Sequence, residues 1–214
     1  MVREKQEKYL NALRQARQEF SRRSLPKILE VSGARSNNDS ELVISYCGEL
    51  FRVTYPVGEV TRMQLNEHSC AEIQITDQIL ILQYLTEASG VTASGKWISF
   101  LELPGGPHHY SPFKLEAVDP VVKRFGSKPQ EFEAACRGVG GTGISLADKA
   151  FSIPVFPRIA LAVTLWFADE EFPARGNILF DATACMHLNT AGLYVLGINT
   201  AERIIYLSEQ GGQK

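Results

Sequence analysis

The feature that most restricts this chain is the run 159–168, ten consecutive positions broken only by the hydroxyl of Thr164. A bilayer-spanning helix needs about 20 apolar residues, so the run is roughly half long enough for that role. Its β-formers, Val163, Thr164 and Trp166, make 158–168 a strand buried on both faces. Such a strand requires a sheet with covering layers, and a chain of 214 residues with 44% hydrophobic content can supply that core. Asp169, Glu170, Glu171 and Pro173 break the run, and 177–180 resumes as a strand.

The other elements follow from period and punctuation. Near the N-terminus, Tyr9 or Leu10, Leu13, Ala16 or Arg17, and Phe20 recur at helical spacing, which predicts a basic amphipathic helix docked on the body of the protein. The stretch 36–40 reads as a loop, and 41–46 with 50–55 as a hairpin around Cys47-Gly48-Glu49. A short strand is expected over 72–75. A buried helix follows, capped by Thr76, with Asp77 near its positive end and Gly90 beyond it. Residues 96–103 read as a strand closed by Pro104-Gly105-Gly106-Pro107. Helices are expected from Ser111-Pro112, limited or kinked by Pro120, then over 129–137 and 189–207. The fold class is therefore α+β: a basic helical segment over 1–32 and a single domain over 33–214, with a mostly antiparallel sheet and packed helices.

Charge and cysteine usage exclude several classes. The formal net charge of -2 offers no electrostatic reason to bind nucleic acid, although residues 1–35 carry nine Lys/Arg against four Asp/Glu. That N-terminal segment has no apolar core of the kind a signal peptide needs, so no membrane insertion is expected. Cys47, Cys70, Cys136 and Cys185 are scattered without a C-x-x-C pair, so neither a zinc ribbon nor an iron–sulfur motif is present. Reduced thiols in a cytoplasmic protein are the expectation.

Several constellations have site chemistry. Glu102, His108 and His109 flank Gly105 and Gly106, where bare backbone can approach a ligand while imidazoles carry protons or ligate; an exposed turn is the plain alternative. Trp97 opens the same strand, although packing also accounts for it. Asp169 and Glu170 follow the most buried strand and suit either a hard cation or a solvated corner. Asp181 ends a strand, where it caps or serves a site. His187, in Cys185-Met186-His187, is either a hydrogen-bonded core histidine or an axial ligand to a tetrapyrrole. The glycine-rich loop 138–143 lacks the strand, helix and lysine of a phosphate cradle and reads as mobile surface. No nucleophile elbow or zinc-protease motif occurs.

Trp97-Ile98-Ser99-Phe100 with Glu102-Leu103-Pro104-Gly105-Gly106, then Ser111-Pro112-Phe113, resemble a family of uncharacterised domains from anaerobic bacteria and archaea. Phe156-Pro157-Arg158, Trp166, the corner 169–173, the segment 178–181, Leu188 and Thr190 extend the resemblance, which runs from about Gly33 to the C-terminus. Some members resemble fusions to a four-cysteine iron–sulfur module like that of corrinoid iron–sulfur proteins, whose cysteines this chain lacks. The resemblance implies a ligand-binding or accessory module for a corrinoid or another tetrapyrrole such as haem, serving anaerobic one-carbon metabolism. Its partners would be a small molecule or a protein of corrinoid metabolism. The rival expectations are a metal-assisted enzyme built on Glu102, Asp169, Glu170 and Asp181, or a protein–protein adaptor. The ligand-binding reading expects the turn after Leu103 and the corner after Trp166 to wall one hollow.

Overall fold

A computed structural model describes residues 2–63 and 73–211. The chain opens with α1 (Val2–Arg22) and α2 (Leu25–Ser32). Leu13, Ala16 and Phe20 are buried at three-to-four spacing, so α1 lays one stripe on the body while Leu10 faces solvent. Gly33 ends α2 at φ 74, a conformation that costs glycine little.

A first sheet follows as an antiparallel meander in chain order: β1 (Arg35–Asn38), β2 (Glu41–Tyr46), β3 (Glu49–Thr54) and β4 (Val60–Met63). Leu42, Ile44 and Tyr46 alternate inward on β2, and Phe51 and Val53 do so on β3. The connecting turn is two residues long, with positive φ at both Cys47 (48) and Gly48 (81). That pattern matches the twist of the flanking strands. The stretch expected to be a loop contains β1, which is an edge strand and needs no apolar alternation.

The second sheet has the order β5-β9-β8-β7-β6, all antiparallel. Its members are β5 (Trp97–Ser99), β6 (Thr142–Gly143), β7 (Lys149–Phe156), β8 (Ile159–Trp166) and β9 (Arg175–Asp181). The apolar run forms β8, the central strand, buried at nearly every position. β7 escapes the sequence reading because Ser152 and Pro154 interrupt its apolar pattern. A register shift between Pro154 and Phe156 accommodates the proline.

Three further boundaries differ from expectation. The strand 96–103 ends at Ser99, because Ser99 and Glu102 form a reciprocal cap that winds 100–102 into a 3-10 turn. The next helix, α4 (Gly106–Phe113), starts at Gly106 with Pro107 in its first turn. Pro112 lies inside α4, two residues before the helix widens into a π turn over 114–118. Of the expected strand 72–75, Glu72 lies outside the described residues, while Ile75 begins α3 (Ile75–Glu87) and Thr76 sits within its first turn. The chain completes the layer with α5 (Asp119–Phe125), α6 (Pro129–Gly138) and α7 (Thr190–Gly211). The class is α+β with two antiparallel sheets.

The two sheets meet where β2 approaches β7, and the Cys47 N–H donates to the Val155 carbonyl at 2.9 Å. Phe156 stacks between Tyr46 (centroids 4.8 Å apart) and Tyr84 of α3 (4.2 Å). A cleft lies beside this junction, with Cys47 of the β2–β3 turn in its lining. Among the described residues, no helix is long and apolar enough to cross a membrane.

Candidate functional site

A cleft of about 470 Å³ opens beside that junction. The β2–β3 turn supplies Cys47, Gly48 and Glu49, β4 supplies Arg62, and the start of α3 supplies Gln74 and Asp77. Gly138 and Val139 close one end, and Asn199, Glu202, Arg203, Tyr206 and Leu207 descend one face of α7. Positions 199, 203 and 206 share that face by helical geometry. Gly48 is required at the turn, because a Cβ there would meet the Val139 carbonyl oxygen at 3.1 Å as well as strain the backbone. The glycine-rich loop is thus structured: the Gly141 N–H caps α6 at the Cys136 carbonyl, and 142–143 pairs with β7.

The floor of the cleft is a charged network. Asp77 is 4% exposed, and an unpartnered carboxylate at that depth would cost several kcal/mol. Here Oδ1 accepts from Tyr46 Oη (2.7 Å) and Asn199 Nδ2 (2.8 Å), while Oδ2 accepts from Arg203 Nη2 (2.6 Å). Arg203 also donates to Glu49 Oε2 at 2.9 Å and lies over the Tyr46 ring. Arg62 approaches Glu49 Oε1 at 3.5 Å and lies over Phe51.

Burial, reinforced by Cys47 and Asp77, pushes the Tyr46 phenol well above its ordinary value. Burial also drives the Cys47 thiol up to about 12. Burial opposes the Arg203 charge, but Cys47, Tyr46, Asp77 and Glu49 outweigh it and hold the guanidinium protonated. Desolvation and the nearby Asp77 raise Glu202. Neither the thiol nor the phenol is poised to lose a proton near neutrality.

The ten residues singled out from sequence lie elsewhere. Trp97 and Asp181 are cross-strand partners at one end of the second sheet. The Glu102 carboxylate is occupied by the N–H and hydroxyl of Ser99, which hold it below its ordinary range. Gly105 has φ 73 and open space around it, whereas Gly106 is buried beneath the Phe100 carbonyl. His108 and His109 are exposed on the first turn of α4. Asp169 accepts the N–H groups of Glu171 and Phe172 within its own corner, next to exposed Glu170. The turn after Leu103 is tied to α7 through Thr190 and Pro104, and the acidic corner to Gly126 and Asp148. Among the described residues, no three His, Cys, Asp or Glu side chains are grouped so as to hold a metal ion, so Glu102, Asp169, Glu170 and Asp181 do not form one cluster.

His187 is fully buried; Nδ1 accepts the Ser89 N–H at 3.4 Å, and burial lowers its pKa. Asp181 is 1% exposed and acts as a clasp. Its Oδ1 accepts from the N–H and hydroxyl of both Ser94 and Thr183, and its Oδ2 from the Gly95 N–H at 2.7 Å. Burial alone would raise this carboxyl, but those donors bring it from 3.8 down to about 2. Its stabilising effect is therefore complete above about pH 4 and is lost as pH falls toward 2. Asp181→Asn turns one acceptor into a donor facing Gly95, so a loss of about 1–2 kcal/mol is expected at pH 7. Urea unfolding across pH 2–5 checks this, and the variant should show a flatter acid limb.

The cleft residues had a faint signal: Asp77 and Asn199 are polar residues beside the apolar positions that their helices bury. A family model described as a domain of unknown function (DUF3786) matches residues 24–203. No curated protein and no solved structure matches the chain. The matched span takes in every cleft residue except Tyr206 and Leu207, and leaves out α1.

Proposed function

The chain belongs to the DUF3786 family of domains of unknown function, and from that premise we propose that it is a non-catalytic ligand-binding or accessory module. The cleft beside the β2–β3 turn is its site. One observation carries the reading: about 470 Å³ of space is bordered by a pre-arranged charged wall and by the apolar Val139 and Leu207. Ligand pockets run to about 300–1,000 Å³ and combine apolar lining with a few fixed polar groups. Arg203 and Asn199 are already held by Asp77, which lowers the entropic cost of association.

A corrinoid or another tetrapyrrole, used in anaerobic one-carbon metabolism, is the ligand class that the family resemblance suggests. Haem would present its carboxylates to Arg62 and Arg203. Titration of the whole chain with hydroxocobalamin and with haemin, read by absorbance, tests that class. A small-molecule set read by ligand-observed NMR tests the cleft more broadly. The expected result is saturable binding that weakens at least several-fold in Tyr206→Ala, since Tyr206 is 59% exposed and its removal spares the core. Flat titrations with every compound, or binding indifferent to Tyr206, would remove the cleft reading.

A further inference from the structure

Within the cleft, the two arginines differ sharply in what stands behind them and what stands before them. Arg203 is fixed from behind by Asp77, whose side chain is 5% exposed, and by the Tyr46 ring. Arg62 is fixed over the buried ring of Phe51. In front, one group spans both: Glu49, with one oxygen to each guanidinium. Glu49 is the first residue of β3, and its side chain is 38% exposed. Its grip is loose on one side, since the Arg62 contact is 3.5 Å, and the buried Arg62 Nε has no partner among the described residues. A guanidinium offers five donors in a fixed fork that suits a bidentate carboxylate, and among the described residues Arg62 makes no hydrogen bond with its Nε.

We propose that the ligand carries a carboxylate that takes the place of Glu49 between Arg62 and Arg203, and that the Glu49 side chain is an internal stand-in which turns out to solvent on binding. This rests on the cleft being the binding site. The charge count favours exchange over addition. The cleft already holds Glu49, Asp77 and Glu202 against Arg62 and Arg203, so a further anion would enter an acidic surround, whereas replacing Glu49 leaves the local balance unchanged. Val139, Tyr206 and Leu207 line the same cleft and give it apolar surface. The ligand class is therefore a carboxylic acid with an apolar body.

The probe pair is 4-phenylbutyrate and its neutral amide, titrated by NMR into the wild-type chain, Glu49→Gln and Glu49→Ala. A tethered competitor acts at an effective concentration in the millimolar range, so removing it should tighten the acid about tenfold in both variants. Arg62→Met should abolish that gain, and the amide should bind none of these proteins measurably. Acid and amide binding alike, or Glu49 variants binding no better than wild type, would overturn the exchange while leaving the cleft intact as a site. No binding of the acid to any of the proteins would also overturn it. The cleft itself is judged separately, by the Tyr206→Ala comparison with the other compounds.

Discussion

Asp77→Ala lowers the stability of the folded chain by about 3–5 kcal/mol, the cost of removing one partner from a buried ion pair. The substitution takes the acceptor from three groups together, the Arg203 guanidinium, the Tyr46 hydroxyl and the Asn199 amide, and leaves Arg203 only its half-exposed partner Glu49. Asp77→Asn should cost less, because its oxygen still accepts from Tyr46 and Asn199 while only the Arg203 contact becomes donor against donor. Adding Arg203→Met to Asp77→Ala should recover part of the loss, as the guanidinium that lost its buried partner is then gone. Urea unfolding of wild type, Asp77→Ala, Arg203→Met and the double variant measures the cycle, with Asp77→Asn alongside, through midpoints at constant slope. A loss below about 1 kcal/mol for Asp77→Ala would place the pair with exposed salt bridges and contradict the buried floor described above.

Gly106→Ala is the second large effect. A Cβ on Gly106 would run into the carbonyl oxygen of Phe100. That carbonyl cannot step aside cheaply, because the Phe100 ring stacks on Phe113 at 4.2 Å and Gly106 donates its own N–H to Leu103 at 2.8 Å. The expected loss is about 3 kcal/mol or more, at the upper end of overpacking penalties. Gly105→Ala is the control. Its φ of 73 strains any other residue, yet nothing surrounds its would-be Cβ, so a loss of about 1–2 kcal/mol is expected. Thermal unfolding of the two variants separates steric from conformational demand. Equal losses would show that the Phe100 turn yields more easily than its packing implies. The result also bears on why the Gly-Gly pair exists, since packing beneath Phe100 is sufficient reason for Gly106.

The fold was legible wherever a period was strong. The run that became β8, the β2–β3 hairpin, α1 and α7 could each be read, because their apolar positions carry the burial themselves. Edge and junction elements could not: β1 is polar because an edge strand is solvated, and Pro154 disguises β7. The cleft was harder still. Its residues come from positions 47–49, 62, 74–77, 138–139 and 199–207, and no local pattern links them. Histidines and glycines beside prolines attract attention as chemistry, whereas Asp77 and Asn199 appear in sequence as ordinary helix residues. Only the meeting of helix faces turns them into a network.

The Tyr46–Phe156–Tyr84 stack has a consequence for how the molecule is assembled. Its three rings come from distant stretches of chain, so it cannot form until long loops have closed, and contacts of that kind are entropically slow to make. Tyr46 also anchors Asp77, so the acceptor chemistry of the cleft depends on the same late closure. A nascent or partly assembled chain would hold Arg203 without its backing, and competence to bind would arrive together with completion of the native topology.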